Sequence, residues 1–281
     1  MSRKPSVWMR ILQYAVLIGF AIFAFYPVWF AILASGRLGD RLYTLNLAGM
    51  FFPTEWTFEN YRVMLFERPF LTWLTNSLKV AVAATIFSLI ISTSAAFALS
   101  RFRFRGREAF LILLLALSTF PGLLSLVAIA QLLTAVGLYG KHLGLILAYT
   151  TGTLVFCTWN LKGYFDTIPI DLEEAAMLDG CGPVEAFTLI ALPLARPALA
   201  VTAILAFMGS WGDFVFAGVL VPAPDSLKLA VPALYSLANS ISVPWGYFAA
   251  GAVIVVLPTL MVYLALQRYF ESGLTVGGVK G

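Results

Sequence analysis

The chain has 281 residues, of which 60% are hydrophobic and only 11% charged, with a net charge of +4 at neutral pH. A soluble domain carries about 25% charged residues, so this composition excludes an ordinary soluble enzyme and points to an integral membrane protein. So small and scattered a positive charge also excludes a nucleic-acid binder, and two cysteines, Cys157 and Cys181, are too few and too far apart for a disulfide framework or a metal pair.

About 20 mostly apolar residues are needed to cross the hydrocarbon core of a bilayer. The first such stretch is Ile11–Ala34, behind Arg3, Lys4 and Arg10. Its apolar run is too long for a signal peptide, so it reads as an uncleaved span. A long mixed loop follows, in which PTEWTFENYRVMLF (53–66) predicts a short amphipathic helix at the outer surface, with Thr57 or Asn60 as possible caps. Leu78–Leu99, Phe110–Val136, Leu143–Leu161, Ala198–Val221 and Ala249–Leu266 complete a set of six spans. The Pro121-Gly122 pair should kink the third. The fold class is therefore an all-α membrane protein. Residues 1–75 form a first helix and outer loop, 76–270 a five-helix core, and 271–281 a tail.

Lysine and arginine in the connecting loops set the orientation. With both termini cytoplasmic, the inner segments hold eleven of the 18 basic residues. The short loop SRFRFRGR (100–107) places four arginines there, which suits positive-inside anchoring at a lipid headgroup layer.

The inner connection 162–197 stands out by its charge. Pro169 and Asp171 predict a helix start, and Asp171, Glu173 and Glu174 fall in a first turn where the helix dipole favours anions. Gly180 and Gly182 end that run, Pro183 opens a second helix over Val184–Leu189, and Pro193 and Pro197 stop it. Leu172, Ala176 and Asp179 share one face, and Ala175, Leu178 and Gly182 the next. Such a compact helix–turn–helix fits two roles: a docking element, whose rigidity lowers the entropic cost of binding, or an interfacial helix that connects two spans.

Glu174-Ala175-Ala176, three residues, Gly180, nine residues, Ile190, one residue and Leu192-Pro193 match every fixed position of the EAA signature of bacterial ABC-importer permeases. The stretch WGYFAAGAVIVVLPTLMVYLALQRYFESGLTVGGVKG (245–281) resembles the end of the smaller permease of maltose and maltodextrin importers, and the similarity extends over most of the chain. The resemblance implies the type I importer fold and a coupling helix within 169–193 that sits in a cleft of a cytoplasmic ATPase. Glu174, Ala175, Ala176, Leu178, Asp179, Gly180, Ile190, Leu192 and Pro193 would form that contact. It also implies that Gly277, Gly278 and Lys280 of the tail reach the ATPase pair. The outer loop 221–246, with Leu237, Asn239 and Ser240 near its tip, would meet an extracytoplasmic sugar-binding protein. A second permease and two ATP-binding subunits would complete the assembly in the bacterial inner membrane. Maltose, maltodextrin or trehalose would be the cargo, with glycerol phosphate or another oligosaccharide as alternatives.

The remaining residues carry little chemistry. GLYGKHLG (137–144) lacks the frame of a phosphate loop and the Ser or Thr that follows it. ATP and magnesium therefore belong to partner chains, with no cofactor and no catalytic or metal-ligating residue here. Asp213 lies mid-way along the predicted fifth span, where a carboxylate is costly and must face a cavity or a neighbouring helix. It is a translocation-path candidate, and a proton-coupled transporter using it is the alternative from another class. Asn160 and Gln131 read as hydrogen-bonding contacts between helices, and His142 as a solvated loop residue.

Overall fold

The computed structural model describes residues 7–37, 47–53, 56–119, 121–239 and 243–269. Among these, every regular element is helical. In chain order the α-helices are α1 (Val7–Ser35), α2 (Leu47–Phe51), α3 (Glu59–Arg62), α4 (Phe70–Arg101), α5 (Arg107–Thr119), α6 (Gly122–Ala135), α7 (His142–Phe165), α8 (Asp171–Leu178), α9 (Pro183–Ala186), α10 (Leu192–Leu194), α11 (Arg196–Trp211), α12 (Val215–Leu220), α13 (Ala230–Ala238) and α14 (Trp245–Leu266).

Four helices, α1, α4, α7 and α14, are long and apolar enough to cross a membrane, and two bent pairs bring the number to six if each pair is one span. The first pair departs from the expected kinked span, while the second joins the expected inner helix to the following span. Helices α5 and α6 meet at 98°, far more than a kink. Pro121 is extended there (φ −62°, ψ 115°) and opens α6 instead of continuing α5. The second pair bends by 75° at Ala195. Its first limb does not stop at Pro193 as expected. A π turn over Phe187–Ala191 leads into α10, immediately before the proline whose missing N–H could not serve the Leu189 carbonyl in an α-helix.

Two compact units divide the chain: one of Met1–Phe70 with Leu234–Val256, the other of Leu71–Ala233 with Leu257–Gly281. In the first, α1 is apolar on every side beyond Arg10 and Gln13, which suits lipid and not water. Its C-terminal end is tied to the following loop by polar contacts. Asn60 is buried, and its Nδ2 donates to the Ser35 and Arg37 carbonyls, both at 2.9 Å. Ser35 Oγ lies 2.6 Å from the Tyr61 hydroxyl. Asn60 thus braces the loop instead of capping a helix, whereas Thr57 Oγ1 does accept from the Glu59 N–H at 3.1 Å. The predicted amphipathic helix shortens to α3 and a π turn over Val63–Glu67. Gly246 passes so close to Asn60 that a Cβ would lie 2.7 Å from its Nδ2.

In the second unit α7 is central. One apolar cluster joins Val80, Leu145, Tyr149 and Leu220; another joins Phe97, Leu161, Phe165, Ala191 and Ala195. Polar bridges between helices punctuate this packing: Ser88 Oγ to Thr153 Oγ1 at 2.7 Å, and Asn160 Nδ2 donating to Thr202 Oγ1 at 2.7 Å. Asn160 has the interhelical role expected of it, while Gln131 is exposed. His142 is not a solvated loop residue. It opens α7, is partly buried, and its Nε2 donates to the Leu227 carbonyl at 2.7 Å.

Candidate functional site

The segment 166–195 builds its site from local rules. Helix α8 starts at Asp171 behind Pro169, as expected, although no side chain caps it. At its other end the Gly180 N–H bonds the Met177 carbonyl at 3.1 Å and the Cys181 N–H bonds the Ala176 carbonyl at 3.0 Å. This is the Schellman arrangement, which needs a left-handed residue; Gly180 supplies it with φ +100°. The Glu185 carboxylate then accepts from the Gly182 N–H at 2.8 Å and fixes the start of α9.

Two faces result. Glu174, Ala175, Leu178, Asp179 and Gly180 are exposed. Ala176, Ile190, Leu192 and Pro193 are half-buried and turn toward the body of the unit. Leu178 is 89% exposed, and Leu172, Met177, Val184 and Leu189 are exposed beside it. Burying one such side chain is worth roughly 1.5–3 kcal/mol, so this face gains from a cover. A pocket of about 170 Å³ between the end of α4 and α8–α9 is lined by Phe97, Ile170, Glu174, Met177 and Ala186 among others.

The inner face holds what the sequence reading missed. Glu173 is buried, and its Oε1 receives both Nε and Nη2 of Arg101 at 2.8 Å. Nη2 also donates to the Ile168 carbonyl at 3.0 Å, and Nη1 to Ser100 Oγ at 3.1 Å. Ser100 Oγ donates in turn to Asp166 Oδ1 at 2.6 Å, and Lys162 Nζ reaches Asp166 Oδ2 at 2.6 Å. Burial pushes the Asp166 carboxyl up. The Lys162 and Ser100 hydrogen bonds, with the charges of Lys162 and Arg107, outweigh it and hold the group below its ordinary 3.8. The positive-inside reading of 100–107 groups Arg101 with headgroup-facing arginines. The structure removes it from that set while leaving Arg103 and Arg105 exposed.

Asp213 is not in the middle of a helix. Helix α11 ends at Trp211 and α12 begins at Val215. Asp213 Oδ2 accepts from the Tyr149 hydroxyl at 2.8 Å and from the Ala217 N–H at 3.0 Å. The carboxylate therefore serves a break in the span and a link to α7, which answers its placement in an apolar setting. The connection 221–246 carries helix α13: Leu237 is half-buried within it and Asn239 is exposed just after it. Its first part is pinned by α4. Trp73 Nε1 donates to the Asp225 carbonyl at 2.9 Å. Asn76 Nδ2 donates to those of Ser226 and Lys228 at 2.8 and 3.1 Å. The Ala230 N–H donates to Ser77 Oγ at 2.8 Å. Ser240, Gly277, Gly278 and Lys280 lie outside the described residues.

Comparison with known proteins gives a consistent set. Residues 88–276 match the family described as binding-protein-dependent transport system inner membrane component. The maltodextrin transport system permease protein MdxG of Bacillus subtilis (strain 168) is 34% identical over 273 residues, 97% of this chain and 96% of that protein. The maltose/maltodextrin permease MalG of Vibrio vulnificus (strain YJ016) is 43% identical over 219 residues, 76% of this chain and 73% of that protein. A chain from the crystal structure of a bacterial ABC transporter that imports the acidic polysaccharide alginate superimposes with a TM-score of 0.77 at 26% identity. That match covers 96% of this chain and 100% of the other.

Proposed function

Because the chain belongs to the family of inner membrane components of binding-protein-dependent transport systems, we propose that it is the smaller permease subunit of an oligosaccharide importer, with maltose or maltodextrin as cargo. Membership alone makes it a multi-pass inner membrane permease of the type I importer fold, working with a binding protein. The finer reading rests most on one observation: α8 and α9 form a rigid, Schellman-capped helix–turn–helix whose EAA residues Glu174, Ala175 and Gly180 face outward with Leu178 among them.

In this reading the outward face docks into a separate ATPase subunit, which alone binds ATP and magnesium. A second permease and a second ATPase copy complete the assembly, and both termini of this chain are cytoplasmic. Closure of the ATPase pair displaces α8–α9, and the permease pair alternates between outward-facing and inward-facing states. The tail residues Gly277, Gly278 and Lys280 add to the ATPase contact, and the connection around Leu237, Asn239 and Ser240 meets the binding protein. The cargo assignment follows the relatives, which transport maltodextrin, maltose and alginate, all oligo- or polysaccharides. A proton-coupled role for Asp213 gains nothing from its geometry, since one carboxylate oxygen already accepts from both Tyr149 and Ala217.

Co-purification tests this reading. Tagged chain expressed with candidate partner subunits should recover the ATPase, and the complex should hydrolyse ATP faster when sugar-loaded binding protein is added. A complex stimulated equally by loaded and empty binding protein, or by none, would overturn the assignment.

A further inference from the structure

Helix α4 ends at Arg101, and that one side chain reaches three separate parts of the fold. It meets Glu173 of α8 through Nε and Nη2, the Ile168 carbonyl of the α7–α8 connection, and Ser100 of its own helix. The Arg101 and Glu173 side chains are only 9% and 4% exposed. Through Ser100 the contact chain continues to Asp166 and Lys162 at the end of α7. Glu173 leaves α8 on the side opposite to exposed Glu174, Ala175 and Leu178.

A buried ion pair is poor evidence for stability, because desolvating two charges offsets most of their attraction, and an apolar pair of equal volume often serves as well. What a guanidinium adds is direction: a planar, preorganised fork fixes both distance and angle to its acceptors. The neighbouring aromatic contacts lack that property. Phe97 packs on Phe187 with ring centroids 4.5 Å apart and on Phe165 at 5.7 Å. Such contacts hold α4 near α7 and the π turn but resist sliding weakly.

We propose that Arg101 and Glu173 are positioning residues for energy coupling: they lock α8 to the end of α4, so that displacement of the docking segment passes into that long helix. Without the lock, the displacement is absorbed in the short connection 166–170. The inference rests on the reading of α8–α9 as the ATPase-docking element, and it extends that reading to two residues outside the docking face.

The test uses the complete importer reconstituted in liposomes with ATP inside and sugar-loaded binding protein outside. Three variants are compared: Arg101→Gln, the apolar pair Arg101→Met/Glu173→Met, and Glu174→Lys. Two quantities are read: ATPase recovered with the tagged chain, and sugar transported per ATP hydrolysed. A merely structural pair would change the amount of complex but not that ratio. Arg101→Gln leaves the Glu173 charge unpartnered and can lower the yield. The apolar pair removes both charges and keeps the proposal testable.

The expected result for the apolar pair is near-normal ATPase recovery with a ratio lowered by roughly tenfold, within the usual range for coupled sites. Arg101→Gln should show the same ratio in whatever complex forms. An unchanged ratio in the apolar pair overturns the proposal, and so does loss of its ATPase recovery, which would make the pair an assembly contact. Glu174→Lys separates the two levels. If it loses the ATPase while the apolar pair transports normally, docking stands and the lock does not. If it keeps the ATPase, the docking reading fails and the lock fails with it.

Discussion

At the scale of single residues, Gly180 shows how one backbone angle shapes the exposed face of α8 that we propose docks on the ATPase. Its φ of +100° suits glycine alone, yet a Cβ added there would meet nothing within 4 Å. The cost of Gly180→Ala is therefore backbone strain only, about 1 kcal/mol. Gly180→Ala should lower the melting temperature slightly and leave ATPase recovery intact, whereas Gly180→Asp, which adds a charge at the contact, should abolish recovery. Pull-down of the ATPase with both variants distinguishes strain from contact. Asp213 makes a second residue-scale case. Asp213→Asn keeps an oxygen for Tyr149 and Ala217 and should transport normally. Asp213→Ala leaves both donors unpaired and should cost about 1–3 kcal/mol in a thermal melt. Collapse of transport in Asp213→Asn would show that the charge itself matters. Asp166 adds a pH signature. Its folded carboxyl titrates below 3.8, so its contribution to folding is present above the unfolded value and is lost as pH falls through the folded one. The stability difference between wild type and Asp166→Asn should thus be constant between pH 5 and 8 and shrink as the pH falls toward the folded value.

At the scale of elements, what was legible in the sequence was what a local pattern states. Long apolar runs located α1, α4, α7 and α14, and proline and glycine placement located α8, the left-handed Gly180 and the start of α9. The bends near Pro121 and Pro193 were legible from the prolines, though not their size, whereas the break at Gly212-Asp213 was not. Gly212-Asp213 reads as the middle of an apolar run, because hydropathy averages over a window and does not see that a carboxylate can accept from the Ala217 N–H in the first turn of a new helix. Arg101 and Glu173 were not legible as a pair because they lie 72 residues apart, and each had a sufficient local explanation: loop charge for one, helix dipole for the other. The same holds for Asn76, whose carbonyl partners lie 150 and 152 residues away. Asn76→Leu would strand the Ser226 and Lys228 carbonyls and free the start of the outer connection. The expected outcome is weaker stimulation of ATP hydrolysis by the binding protein with unchanged ATPase recovery. Normal stimulation would mean that this connection is not the binding-protein contact.

At the scale of the whole molecule, a family matched over residues 88–276, a relative spanning 97% of the chain and a superposition covering 96% of it place this protein among importer permeases. The chain's own physics agrees with a subunit built to work inside an assembly. Its longest helices present apolar surface, and the charged segment around α8 presents Leu178 almost fully to solvent. The account stands on the claim that this chain passes ATP-driven motion of a partner into sugar transport. Uptake of labelled maltodextrin into liposomes holding the full complex measures that most directly, with ATP supplied inside and loaded binding protein outside. The account predicts uptake that needs both and disappears with Glu174→Lys. Uptake driven by a proton gradient without ATP, or uptake undiminished by Glu174→Lys, would contradict it.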